Sequence, residues 1–243
     1  MSEPPTLVLL HGFTNTGASW QPVIRALGER YRAIAPDIRG HGRASGRRPV
    51  NLNAVIEDID GLTPEEFSLA GYSMGGRIAL HAALALPERV SHLVLIGASP
   101  GLSDPDERTA RRQADERLAA EIERSDIETF ARRWAQTPVL AGLPARLAQQ
   151  VHRDRLNNTP PGLAAALRGL GTGALPSLWD RLQGLTMPVT LVAGERDAKF
   201  RSVAEQMAAE ISHAELRTIP AAGHAAHIEA PEAVAHLLQE PGS

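Results

Sequence analysis

Apolar residues in this chain gather into short unbroken runs, separated by stretches in which they return every three or four positions. Thr6–Leu10 is the clearest run, and Tyr31–Ala35, Phe67–Ala70, Val90–Ile96, Val189–Ala193 and Glu215–Ile219 read the same way. A strand with one wet face alternates apolar and polar residues. A run without that alternation predicts a strand covered on both faces, as in a parallel sheet. Helical spacing follows at about 20–29, 75–86, 202–211 and 231–239. Strand and helix therefore alternate, which predicts an α/β fold, a mostly parallel sheet flanked by helices.

The stretch 99–184 breaks this rhythm. It holds no convincing strand, carries twelve Arg and eleven acidic residues, and is interrupted at Pro138, Pro144, Pro160–Pro161 and Gly169–Gly173. The expectation is a helical lid inserted between two strands, with 1–98 and 185–243 forming the core around it. Asn51–Glu66 is short for a full flanking helix, because Asp60-Gly61 and Pro64 break it.

Composition narrows the function. A chain of 243 residues can bury roughly 70–75% of its unfolded surface, enough for one large core without staples. Hydrophobic residues make up 43% and charged residues 22%, which excludes general disorder. A net charge of −3 offers no global field for nucleic acid. The absence of Cys excludes a disulfide framework, a Cys-ligated metal and a thiol nucleophile. MSEPPTLVLLHGF lacks the basic flank and long apolar run of a signal peptide, and no stretch of 18 apolar residues occurs. The expectation is a cytoplasmic globular protein with no nucleic-acid or membrane partner. Of the 25 basic residues all but Lys199 are Arg, which genome composition explains without any anion site.

The strongest chemical signal is Gly71-Tyr72-Ser73-Met74-Gly75, lying between an apolar run and a helical segment. G-x-S-x-G in a strand–turn–helix context places a serine on a tight turn, and the glycines let strand and helix approach closely. The backbone N–H of Met74, at the helix start, is then free to bind a developing oxyanion. Serine needs a base and an orienting carboxylate. His224 in Ala222-Gly223-His224 and Asp197 in Gly194-Glu195-Arg196-Asp197 each follow a later strand, where such sheets expose ligand sites. His224 would take the serine proton and Asp197 would fix its tautomer. The Phe13 N–H, in His11-Gly12-Phe13 after the first strand, is the natural second oxyanion donor. Asp37 and His41 read as loop-forming residues. His227 and Glu229 make an H-x-x-H-x-E string without metal-site context.

Together these elements resemble the α/β-hydrolase superfamily over essentially the whole chain. More narrowly, HGF, GYSMGGR, ASPGL, the run Glu107–Asp115, Trp134 before Thr137-Pro138-Val139, Arg155 before Asn157-Asn158, GERDAKF and AGHAAHIEAP are similar to one enzyme family. That family is the 2-succinyl-6-hydroxy-2,4-cyclohexadiene-1-carboxylate synthases of menaquinone biosynthesis. The resemblance implies a lyase without cofactor or metal, releasing pyruvate from a cyclohexene that carries a carboxylate, a succinyl group and an enolpyruvyl ether. It also implies that Arg77, Arg111 and Arg155 bind the carboxylates of this small polycarboxylate, and that Tyr72 and Trp134 line the pocket. Arg108 and Arg112 flank Arg111 one helical turn or less away, so the carboxylate ligand could be either of them. Two departures from the family stand out: an N-terminal hairpin common in the wider fold is largely missing, and Asn51–Glu66 is short. A serine carboxylesterase, lactonase or thioesterase would share the triad without needing the arginines to converge. A small-molecule receptor on the same fold is a third reading.

Overall fold

The apolar runs form one sheet. The computed structural model describes residues 3–62, 65–137 and 142–239. Its strands are β1 (Thr6–Leu10), β2 (Arg32–Ile34), β3 (Phe67–Tyr72), β4 (Val90–Ile96), β5 (Val189–Gly194) and β6 (Ala214–Ile219), in the order β2-β1-β3-β4-β5-β6. Every neighbouring pair is parallel. Both faces are covered, which is why the central strands read as runs rather than alternations. Val8 and Leu10 enter one buried cluster with residues of α2 (Leu52–Asp60), α3 (Met74–Ala85) and α8 (Ala198–Glu210). Leu7 and Leu9 enter the cluster on the opposite face with α1 (Gln21–Leu27), α9 (Ala226–Glu229) and α10 (Pro231–Gln239). Each such buried side chain contributes about 1.5–3 kcal/mol.

From β1 the chain runs outward to β2, then returns to lay β3 on the other side of β1. The connections leaving the carboxyl ends of β1 and β3 therefore diverge, and a crevice opens between them, the usual ligand position in such sheets.

Between β4 and β5 lie α4 (Pro105–Glu123), α5 (Ile127–Trp134), α6 (Ala145–Arg155) and α7 (Pro160–Leu170). Their own cluster holds Ala119, Ile122, Phe130, Leu163, Ala164 and Leu167. Pro160 and Pro161 start α7 instead of interrupting a helix. Thr159 caps it by accepting from the Gly162 N–H at 3.2 Å, and proline in the first turn removes only an amide that has no intrahelical partner. The stretch after Asn51 forms only the nine-residue α2, which stops at Asp60 with Gly61 as its C-cap, where the sequence places a break; Asn51 caps its start, its Oδ1 accepting from the Ala54 N–H at 2.9 Å. Pro64 and Pro138 lie outside the described residues. Among those described, no helix is long and apolar enough to cross a membrane.

Candidate active site

Ser73 sits between β3 and α3 with φ 52° and ψ −109°, a left-handed backbone that costs about 1–3 kcal/mol for a residue with a Cβ. The turn is held because Ser73 N–H donates to the Ile96 carbonyl at 2.9 Å and the Ser73 carbonyl accepts from Arg77 N–H at 3.0 Å. Close approach fixes the glycines. A Cβ on Gly75 would stand 2.3 Å from the Leu10 carbonyl oxygen, and one on Gly71 would stand 2.4 Å from that of Gly75. Helix α3 begins at Met74, whose N–H has no acceptor within the helix.

His224 and Asp197 arrive from two other strand ends. His224 Nε2 lies 3.2 Å from Ser73 Oγ, and its Nδ1 lies 2.6 Å from Asp197 Oδ2. With Asp197 accepting, Nδ1 carries the proton and Nε2 is left to accept from the serine. Asp197 is itself fixed as the N-cap of α8, its Oδ1 accepting from Phe200 N–H at 3.4 Å. Both His224 and Asp197 are buried, and the Phe200 ring lies 4.5 Å from the imidazole.

Ser73, His224 and Asp197 open onto a cavity of about 730 Å³ that Phe13, Met74, Arg77, Arg111 and Trp134 also line. The Phe13 ring stands edge-on to Trp134 at 5.2 Å and to the buried His41 at 5.8 Å. Arg77 is buried, 8% exposed, and its Nε has no partner among the described residues. Burial, with the nearby charge of Arg111, pushes the Arg77 guanidinium down to about 10. Arg111 is half-exposed, and its Nε donates to Asp115 Oδ1 at 2.7 Å. The other Asp115 oxygen accepts from the Gly173 N–H at 3.2 Å. A buried carboxylate thus ties α4 to the turn after α7 and aims an arginine. Arg111, not Arg108 or Arg112, is the member of that trio that lines the cavity.

Two expected pocket residues stand outside that lining. Tyr72 is buried with its ring 4.3 Å from His227 and 5.2 Å from His224, and burial pushes its hydroxyl up. Arg155 is 3% exposed at the end of α6, where its Nε donates to Thr14 Oγ1 at 3.2 Å. Both are buried outside that lining, Tyr72 against His224 and His227 and Arg155 against the loop after β1. Arg196, Lys199 and Phe200 do line it, and all three lie in the GERDAKF segment beside Asp197. Asp37 holds its loop by accepting from Gly17 and Arg43 N–H groups, each at 2.8 Å. His227 is enclosed between Trp20 and Tyr72, and Glu229 accepts from Gly223 N–H and Arg196. Among the described residues no group of three His, Asp or Glu could hold a metal.

Known proteins resemble this chain over most of its length. A family model described as the alpha/beta hydrolase family matches residues 7–237. A protein of Bacillus subtilis (strain 168) is 36% identical over 245 residues, spanning 96% of this chain and 89% of its own length. A Salmonella paratyphi C (strain RKS4594) protein named 2-succinyl-6-hydroxy-2,4-cyclohexadiene-1-carboxylate synthase is 34% identical over 243 residues, spanning 97% of this chain and 93% of its own. Among solved structures, MenH from S. aureus superimposes with a TM-score of 0.92 at 31% identity, covering 98% of this chain and 93% of that one.

Proposed function

The chain belongs to the alpha/beta hydrolase family, and we propose that it acts there as a carbon–oxygen lyase, a 2-succinyl-6-hydroxy-2,4-cyclohexadiene-1-carboxylate synthase. Its substrate is then 2-succinyl-5-enolpyruvyl-6-hydroxy-3-cyclohexene-1-carboxylate, and its second product is pyruvate. One observation carries the reading: the Ser73 relay opens onto the same cavity as Arg77, a buried cation with an Nε that has no partner among the described residues. Arginine's planar fork suits a carboxylate, and a dry wall strengthens the pairing.

In this reading His224 accepts the Ser73 proton, and the serine oxygen removes the proton next to the succinyl ketone. The electron pair moves onto the ketone oxygen, where the Phe13 and Met74 N–H groups receive the negative charge. Such a donor is worth a factor of about 10²–10³ in rate. Collapse of the enolate forms the conjugated diene and breaks the ring carbon–oxygen bond. The departing enolpyruvate takes up the abstracted proton, relayed through His224, and becomes pyruvate. Ser73 forms no bond to carbon, and the balance needs no cofactor. Arg77 and Arg111 hold carboxylates, Trp134 walls the ring, and Tyr72 and Arg155 support the wall from behind. Residues 99–184 serve as a lid on a core of 1–98 and 185–243. The reaction takes place in the cytoplasm on a small polycarboxylate.

The test is a paired assay on the purified protein. One arm supplies the enolpyruvyl cyclohexene and follows pyruvate release with diene absorbance; the other supplies a neutral p-nitrophenyl ester. Pyruvate release should dominate, and Ser73→Ala should abolish it while leaving the thermal melt in place. An active Ser73→Ala protein, or ester cleavage alone in the wild type, would overturn the reading.

A further inference from the structure

The end of α6 grips the loop that follows β1. Asp154 accepts from Thr16 N–H at 3.0 Å and from Thr16 Oγ1 at 2.5 Å, while Arg155 Nε donates to Thr14 Oγ1 at 3.2 Å. The central contact is Asn158, just beyond the helix. Its Nδ2 donates to the Thr14 carbonyl at 2.8 Å and to the Arg155 carbonyl at 3.1 Å, and its Oδ1 accepts from Gly42 N–H at 3.0 Å. An amide offers two donor hydrogens and one acceptor oxygen, so this side chain is used at both ends. It is 4% exposed and does not line the cavity, so substrate contact is not its task.

What it holds is strained. Thr14 has φ 68°, a left-handed backbone at a β-branched residue, which local sequence disfavours and surroundings must impose. Thr14 is the third residue of a turn closed by Asn15 N–H donating to the Gly12 carbonyl at 3.1 Å, and that carbonyl shares one rigid peptide plane with the Phe13 N–H, so the turn sets where that N–H points. Thr14 is 1% exposed, and a carbonyl buried there needs a donor.

We infer that Asn158 is a positioning residue for the reaction: by binding the Thr14 carbonyl it keeps the Phe13 N–H where an oxyanion is received. The inference rests on the role given to Phe13 above. It assigns a function to the turn after α6 that neither the carboxylate-binding arginines nor the triad supply. Oxyanion donors act through placement, and an error near 1 Å can cost about a hundred-fold.

The experiment compares wild type, Asn158→Ala and Asn158→Asp. The aspartate keeps the shape and the acceptor for Gly42 N–H but cannot donate to Thr14, and it serves alone where the alanine variant fails to fold. Two readouts are taken on folded protein, with active sites counted by titration. The first is steady-state pyruvate release. The second is the rate at which a p-nitrophenyl phosphonate labels Ser73, which uses the same oxyanion donors whatever the natural substrate. Expected are a fall in kcat of about ten- to a hundred-fold with KM within three-fold, and slower phosphonylation by a similar factor. A kcat within two-fold of wild type, or a rise in KM with kcat unchanged, would overturn the inference. If wild type releases no pyruvate yet labelling still slows in the variants, the lyase reading fails and the positioning role stands.

Discussion

Arg77 carries its charge in a setting a guanidinium seldom meets, buried beside a second arginine and with one nitrogen unpartnered among the described residues. Removing it should relieve the empty protein and penalise the loaded one. Arg77→Ala is expected to raise KM for the polycarboxylate at least ten-fold while leaving cleavage of a neutral p-nitrophenyl ester within two-fold. Parallel saturation curves decide this, and equal losses on both substrates would make Arg77 structural. The residue was legible in the sequence because it follows Ser73 by one helical turn, so the motif fixes its place. Asp115 was not legible as the partner that aims Arg111, because its other oxygen binds Gly173, 58 positions away. Arg155 shows the same limit. The family resemblance implied a carboxylate ligand there, yet its side-chain hydrogen bond is with Thr14, 141 positions distant.

At the scale of elements, the β3–α3 elbow concentrates the constraints. Gly75 lets α3 touch the β1 end, and a methyl group there would meet the Leu10 and His11 carbonyl oxygens at 2.3 and 2.5 Å. Gly75→Ala should therefore lever the helix away from the sheet. The expected cost is about 1–3 kcal/mol, a fall of roughly 2–12 °C in a thermal melt, with turnover lost as Ser73 moves off His224. A melt and activity like wild type would show that the helix has room to shift. Strands were read well because a doubly covered strand leaves an unbroken apolar run, and β1 and β4 came out residue for residue. Helix starts were read less well. A proline signals interruption only when its missing amide was needed, and at Pro160 it was not. Nor did the sequence reveal that Asn51 could nucleate α2 in a stretch that ends nine residues later.

For the molecule as a whole, the buried histidines govern behaviour in acid. Burial lowers the affinity of His11, His41, His81, His92 and His227 for protons, taking His81 to about 4 and His227 to about 3. The unfolded chain titrates these rings near 6.5, so between that value and the folded ones it binds more protons than the native state. Stability is then intact above about pH 7 and is lost as pH falls below about 6.5, by up to about 1.4 kcal/mol per pH unit for each such ring. Thermal midpoints measured from pH 8 to pH 4 should be flat and then decline. His227→Phe should blunt the decline, since among the described residues neither ring nitrogen has a partner and the ring is enclosed by Trp20 and Tyr72. An unchanged acid slope in that variant would show that other groups govern it.

The sheet supplies Ser73, Asp197 and His224 from its strand ends, whereas Arg111 and Trp134 come from the helices between β4 and β5. In the proposed mechanism reactivity thus belongs to the core, while recognition is shared between Arg77 on α3 and the inserted helices. A lineage could exchange the helical stretch and inherit a working proton shuttle, acquiring a new diet without reinventing the chemistry. The fastening at Asp154, Arg155 and Asn158 sets the condition on such a transplant. A replacement has to bring its own hand to hold the loop after β1, or the inherited machinery would be handed over out of alignment.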